Sequence, residues 1–180
     1  MTRVLALDLA TNTGVAIVDD TGVPFAGSWD LLDGVRTTGK HAPPLDTRHV
    51  MAVQSLRNRL RRLIGIHRPD VVAVEREFGR GKGSRFLVAL YTAANEAAYD
   101  ASLPCLAILL GDWRKHIHGT AGRTTEFYKD EALRLCAADN IPVPDADAGE
   151  AVLIGRYVHQ TVRFHDPVAA PATSNTRAAA

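Results

Sequence analysis

The segment Val4-Leu5-Ala6-Leu7-Asp8 decides the fold, because an apolar run ends there on a carboxylate. Its side chains alternate between two faces, so that Asp8 shares a face with Val4 and Ala6. Alternation with a period of two is typical of a β-strand, and ligand sites of α/β sheets gather where strands end. The segment therefore predicts a first strand within residues 2–10, with Asp8 near its end.

Two further apolar runs follow this strand, over residues 15–18 and 25–31. Thr13-Gly14 precedes the first run, and Asp19-Asp20-Thr21-Gly22 separates the two. Glycine beside short polar residues is typical of tight turns between antiparallel strands. The opening of the chain is therefore predicted to be a three-stranded antiparallel meander with a turn at each of these places.

The rest of the chain alternates between helical and strand patterns. We predict helix 50–64, strand 71–75, a glycine-rich basic loop 79–83, helix 86–101, strand 104–109, a second basic loop 112–122, a helix capped by Thr124 or Thr125 and ending near 138, and helix 147–160. Apolar strands separated by helices are typical of a parallel arrangement covered on both faces. The predicted fold class is α/β, with a five-stranded mixed sheet (the antiparallel meander plus two parallel strands) flanked by helices.

Composition and cysteine usage narrow the class of protein. With 180 residues, 46% hydrophobic and 23% charged, the chain fits one globular domain, expected over residues 1–165 before a disordered tail over 166–180. The longest apolar stretches are too short to span a bilayer, and the N-terminus lacks a signal-peptide layout. Cys105 and Cys136 lack zinc-site or disulfide spacing and are predicted to be reduced core residues. We expect a cytoplasmic protein with no organic cofactor and no membrane partner.

Basic residues are concentrated in one part of a chain whose net charge is only +1. Residues 48–85 contain three acids and ten Lys or Arg, namely Arg48, Arg57, Arg59, Arg61, Arg62, Arg68, Arg76, Arg80, Lys82 and Arg85. This local excess of seven positive charges can supply the electrostatic part of phosphate binding. A solvated helix face balanced by acids elsewhere explains the same composition, so the count leaves both interpretations open.

Four acids stand where apolar elements begin or end. Asp8 and Glu75 close two predicted strands, while Asp147 and Glu150 lie three residues apart on one face of the last helix. Clustered carboxylates repel one another unless a cation neutralises them, and Mg²⁺ prefers such oxygen ligands. Two ions about 3.5–4 Å apart can hydrolyse a phosphodiester. An acid of this kind taken singly is more often a turn residue or a helix cap than a metal ligand, but the combination predicts a two-metal site.

These motifs together resemble the RuvC-type Holliday junction resolvases, especially the phage-like branch, within the ribonuclease H-like superfamily. The resemblance covers nearly the whole chain, from Val4 to about Tyr157. Its motifs are Leu5-Ala6-Leu7-Asp8 with Thr13-Gly14-Val15-Ala16, then Val72-Ala73-Val74-Glu75, and Asp147-Ala148-Gly149-Glu150-Ala151. It implies that the four acids bind Mg²⁺, with Mn²⁺ as an alternative, as two ions per site. Glu150 stands where the family usually has Asp, and Asp145 is the substitute ligand if the register shifts by two.

The resemblance also assigns DNA contacts. Phe78, three residues after Glu75, matches an aromatic residue that wedges into the junction, with a buried core position as the alternative. Arg114 and Lys115 resemble basic residues that contact the scissile phosphate in the active site, and Lys129 resembles a further basic residue. The implied DNA-binding set is Phe78, Arg76, Arg80, Lys82, Arg85, Arg114, Lys115 and Lys129. The histidines at 116 and 118 have no third ligand nearby, so no zinc site is predicted.

The function implied by the resemblance is resolution of Holliday junctions by paired phosphodiester hydrolysis, in a bacterial or phage-infected cell. Two coordinated cuts imply a homodimer with twofold symmetry, for which helix 86–101 is a candidate interface unless its alanines are ordinary core. The alternatives are a flap- or fork-specific nuclease of the same fold and a non-catalytic module that binds branched DNA. An actin-like ATPase or sugar kinase also has a first strand ending on Asp, but it needs two related domains, for which 180 residues leave no room.

Overall fold

The structure of the chain is a computed structural model that describes residues 2–76 and 84–162. Within these ranges the chain forms five strands and five helices. The strands are β1 Val4–Asp8, β2 Asn12–Asp19, β3 Gly22–Asp30, β4 Val71–Arg76 and β5 Cys105–Leu109. The helices are α1 Leu45–His67, α2 Arg85–Asp100, α3 Leu110–His118, α4 Thr125–Ala138 and α5 Ala146–Thr161.

All five strands belong to one mixed sheet in the order β3-β2-β1-β4-β5. β2 pairs antiparallel with both β1 and β3, which confirms the predicted meander. β4 lies parallel to β1 and to β5, which confirms the predicted parallel strands. Because Leu7 pairs with Val74, the carboxyl ends of β1 and β4 lie side by side, and Asp8 and Glu75 follow there. The sheet therefore brings both strand-end acids to one edge.

Helices cover both faces of the sheet, and the alternation in β1 separates the two cores. Leu5 and Leu7 point into a core with α1 and α2, whereas Val4 and Ala6 point into a core with α3, α4 and α5. This confirms the predicted alternation and directs Asp8 toward α5. The alanines of α2 at positions 93, 94, 97 and 98 are buried in the first core, so the ordinary-core interpretation holds for them.

Gly14 does not form the predicted turn with Thr13, and that prediction is wrong. Both residues lie inside β2, where Gly14 pairs with Asp8, and the chain reverses earlier, through residues 9–11. A Cβ at Gly14 would approach the main-chain oxygen of Asp147 to 1.9 Å. The glycine is thus required for close packing of α5 on the sheet rather than for a turn conformation. The second predicted turn is confirmed, with Gly22 at a positive φ of 125°.

The predicted basic loop over 112–122 is wrong for its first half, which forms α3. Leu110, Trp113 and Ile117 recur at helical spacing and pack against the sheet and α5, and Trp113 is fully buried. The helix ends at His118 and is capped by Gly119, whose φ of +71° is the left-handed conformation common after a helix. Apolar periodicity therefore determined the structure here, although the basic residues between those positions favoured a loop.

The structure also bears on the predictions about surface charge, the cysteines and membrane spans. Arg57 and Arg61 of α1 pair with Glu96 and Asp100 of α2, so part of the basic excess is neutralised inside the chain. Both cysteines are free thiols, as predicted, although Cys105 is only partly buried. None of the helices in the described ranges is long and apolar enough to cross a membrane. The structure does not describe Phe78, Arg80, Lys82 or the tail 166–180, so the assignments of these residues remain predictions.

Candidate active site

The four predicted acids converge at the carboxyl edge of the sheet. Asp8 and Glu75, at the ends of β1 and β4, lie close enough that each carboxyl group alters the pKa of the other. The first turn of α5 crosses this edge and adds Asp147 and Glu150. One carboxylate oxygen from each of Asp8, Asp147 and Glu150 lies within 4.8 Å of the others. The arrangement provides several oxygen ligands at one point, which is the donor set that a hard divalent cation such as Mg²⁺ prefers.

Asp145 caps α5 and stands apart from this cluster. Its Oδ1 accepts a hydrogen bond from the amide of Ala148 at 3.0 Å, and the same oxygen accepts one from the Ser28 hydroxyl. Burial opposes ionisation of Asp145, but these hydrogen bonds outweigh it and lower the pKa of its carboxyl group. Helix capping is thus performed by Asp145, which leaves Asp147 free to point at Asp8. The structure places Glu150, and not the alternative Asp145, with Asp8 and Asp147.

Asp147 is held by two neighbouring side chains. Lys129 of α4 donates to its Oδ1 at 2.7 Å, and the Asn12 side-chain amide donates to its Oδ2 at 2.6 Å. The hydrogen bond to Asp147 raises the pKa of Lys129, against the opposing effect of burial. Lys129 therefore carries its positive charge directly beside the acidic cluster.

Glu150 is buried and paired with Arg114 of α3, whose guanidinium lies 3.0 Å from its Oε1. The guanidinium carbon lies 4.2 Å from the centre of the Tyr128 ring, so Arg114 is stacked as well as paired. Tyr128 is itself fixed, because its hydroxyl donates to the carbonyl of Thr120 and accepts from the amide of Arg123. The orientation of Arg114 is thus set by the folded loop between α3 and α4.

Glu75 accepts a hydrogen bond from Trp113, the residue that precedes Arg114. The indole Nε1 of Trp113 donates to Glu75 Oε1 at 3.3 Å, and both side chains are buried. A buried carboxylate needs such partners because water no longer solvates it. α3 therefore supplies two consecutive residues to the site, Trp113 to Glu75 and Arg114 to Glu150.

Burial and mutual repulsion raise the pKa values of three acids in the cluster. Burial, with the negative charges of Glu75 and Asp147, raises the pKa of Asp8 well above its usual value. Burial also raises the pKa of Glu75, and burial with the nearby charge of Asp8 raises that of Glu150 to about 7. Arg114 and Lys129 offset only part of this. The excess negative charge fits a site that binds a divalent cation.

Three further predicted basic residues fall within the described ranges, and they lie outside this cluster or at its border. Lys115 is exposed and lines a surface depression with His116 and Tyr157, toward the far end of α5 from Asp147. Arg76 is exposed at the end of β4, and Arg85 is exposed at the start of α2, on either side of residues 77–83. Among the predicted basic residues that the structure describes, Arg114 and Lys129 form ion pairs with the acids.

Four supporting residues were not predicted from the sequence: Asn12, Ser28, Trp113 and Tyr128. Each acts across a long sequence separation, such as the 135 positions between Asn12 and Asp147. Trp113 carried a usable signal, because a tryptophan at helical spacing with Leu110 and Ile117 is a candidate buried residue. Asn12 and Ser28 carried none, because polar residues near strand ends are common.

Comparison with solved structures identifies the fold. Thermus thermophilus RuvC superposes with a TM-score of 0.62 at 18% identity, over 88% of this chain and 96% of that one. The T. thermophilus RuvC complex with a Holliday junction substrate gives a TM-score of 0.63 at 19% identity, over 87% and 92%. The chain has the fold of the RuvC resolvases.

A more distant structure has the same architecture. The yeast mitochondrial Holliday junction resolvase Ydc2 gives a TM-score of 0.56 at 13% identity, over 88% of this chain and 78% of that one. Comparison of the sequence with models of protein families and with curated proteins gave no match. The ribonuclease H-like fold predicted from the sequence is thus confirmed by structure, and the activity of this chain has to be argued from its site.

Proposed function

We propose that this chain is a metal-dependent endonuclease that cuts branched DNA, with the four-way Holliday junction as its substrate. The observation that carries the proposal is the convergence of Asp8, Glu75, Asp147 and Glu150 from two strand ends and one helix start. Glu75 and Glu150 are buried and Asp8 and Asp147 are partly buried, and mutually repelling acids in such a place are unfavourable for folding unless they bind cations. The fold shared with RuvC structures, one of them solved with a Holliday junction, supports the choice of substrate.

The residues of the chain have separate roles in this proposal. Divalent ions held by the four carboxylates, Mg²⁺ or Mn²⁺ and two per site, would supply the positive charge that phosphodiester hydrolysis requires. Arg114 and Lys129 border the same acids, and we assign them to the charge of the substrate phosphate. Trp113 and Tyr128 hold Glu75 and Arg114 in place before DNA binds. Paired cuts across a junction require two copies of the chain, so we propose a homodimer.

A cleavage assay on three labelled substrates tests this function. A four-way junction, a 5′ flap and a linear duplex are each incubated with Mg²⁺ and, as a control, with EDTA. We expect symmetric nicks in the junction that need Mg²⁺ and are absent from the duplex. Cutting confined to flaps or forks would keep the metal site and change the substrate. Tight junction binding without any cutting would favour a non-catalytic module.

A further inference from the structure

The geometry points to Asn12 as a positioning residue that aims Asp147 into the metal site, with Asp145 and Ser28 fixing Asn12 in turn. The inference rests on the proposed function, because it concerns the same site. The three side chains form a hydrogen-bonded series that leads to Asp147, and none of the three is proposed as a metal ligand. These run from β3 through the cap of α5 to the start of β2.

Asn12 is placed between two carboxylates. Its side-chain Nδ2 lies 2.6 Å from Asp147 Oδ2 and 3.3 Å from Asp145 Oδ2. An amide nitrogen carries two hydrogens, so one group can donate to both acids. As the first residue of β2, Asn12 also has its main chain fixed by pairing with Asp30 of β3. The donor is therefore held by the sheet, while the acceptor belongs to α5.

Asp145 determines how the side-chain amide of Asn12 is oriented. Its Oδ1 is engaged by the Ala148 amide and the Ser28 hydroxyl, which leaves Oδ2 for Asn12. Ser28 lies on β3 opposite Gly14, so the acceptor for Asn12 is braced from the sheet as well as from the helix. Rotation of the Asn12 amide would exchange its nitrogen for an oxygen facing two carboxylates. That arrangement is unfavourable, so the contact with Asp145 selects one orientation of the amide.

Hydrogen bonds to both oxygens of Asp147 fix the orientation of its carboxylate group. Asn12 donates to Oδ2 and Lys129 donates to Oδ1, from different elements of the fold. Lys129 is substantially exposed and long, whereas Asn12 is short, partly buried and anchored in a strand. Partners of this kind orient metal ligands, and their loss typically costs about 10–100-fold in metal affinity or activity. We assign the orienting role to Asn12 because its position is the more rigid of the two.

The test compares Asn12→Ala with Thr11→Ala, a matched control at the neighbouring exposed position. The main-chain carbonyl of Thr11 accepts one hydrogen bond from the Leu31 amide, which the alanine substitution retains. Mn²⁺ binding to the protein alone is measured by calorimetry and by electron paramagnetic resonance. Junction cleavage is measured across a Mg²⁺ titration. For Asn12→Ala we expect about 10–100-fold weaker Mn²⁺ binding and a similar rise in half-saturating Mg²⁺. Thr11→Ala should match wild type throughout.

Further variants keep the inference falsifiable. Ser28→Ala should shift the metal requirement in the same direction by a smaller factor, because it acts through Asp145. Asn12→Ser, which is too short to reach Asp147, should behave like Asn12→Ala, and thermal melts in EDTA establish that each variant is folded. Unchanged Mn²⁺ binding in folded Asn12→Ala and Asn12→Ser would overturn the inference, and so would failure of both to fold.

The outcomes also separate this inference from the proposed function. If Asn12→Ala weakens Mn²⁺ binding while the wild-type chain cuts none of the DNA substrates, positioning stands and the nuclease proposal fails. If the wild-type chain cuts junctions with Mg²⁺ and Asn12→Ala has an unchanged metal requirement, the nuclease proposal stands and positioning fails.

Discussion

The main-chain carbonyl of Asp147 lies so close to Gly14 that a Cβ at Gly14 would sit 1.9 Å from its oxygen. This contact fixes the distance between β2 and the first turn of α5. It therefore sets how far Asp147 and Glu150 stand from Asp8, which pairs with Gly14 across the sheet.

Gly14→Ala should displace the start of α5 and disrupt the acidic cluster. We expect a loss of stability of roughly 3 kcal/mol, at the upper end for overpacking a buried site, together with much weaker Mn²⁺ binding. Thermal melts and metal titration measure the two effects. Gly65→Ala is the control, because a Cβ there meets nothing within 4 Å, and alanine in a helix stabilises by about 0.5–1 kcal/mol. Identical melts for wild type and Gly14→Ala would contradict close packing of Gly14 against the Asp147 carbonyl.

The neighbouring basic residues Arg114 and Lys115 should differ in kinetic effect. Arg114→Gln removes the charge that touches Glu150, so kcat should fall on the order of 100-fold. Lys115→Gln removes an exposed charge distant from the acids, so its effect should appear as a higher KM for DNA at similar kcat. Steady-state cleavage of a labelled junction separates the two constants. Equal losses of kcat in both variants would contradict the placement of Lys115 outside the cluster.

The stability of the metal-free protein should fall as pH rises through the acidic range. Folding raises the pKa of Glu150 from the ordinary 4.5 to about 7, mainly through burial and secondarily through Asp8. Below about 4.5 both folded and unfolded states hold the proton, and above it the folded state is progressively penalised until about pH 7. In EDTA, Tm should therefore decline across this window, and Glu150→Gln should decline less. His118, whose pKa is lowered by burial, contributes in the opposite direction, so the comparison with Glu150→Gln isolates the acid. An unchanged slope in Glu150→Gln would contradict this electrostatic explanation.

The sequence was sufficient for features that local patterns specify. Alternation in β1 predicted both its two faces and the position of Asp8, and the i, i+3 spacing predicted that Asp147 and Glu150 act together. It failed where a residue is chosen for a distant contact. Gly14 looked like a turn residue because its reason for being glycine lies 133 positions away at Asp147. Trp113 was assigned to a loop because basic residues follow it, although its spacing from Leu110 and Ile117 is helical.

The central claim is that the converging acids form a catalytic metal site, and Asp8→Asn tests it most directly. The substitution keeps the size of the side chain and removes the charge of the acid that lies near Glu75, Asp147 and Glu150. Cleavage of a labelled four-way junction in Mg²⁺ is measured beside binding of the same junction. The account predicts that Asp8→Asn abolishes cleavage while junction binding is retained or tightened, because less negative charge faces the phosphates. Cleavage at a rate near that of wild type would contradict the account.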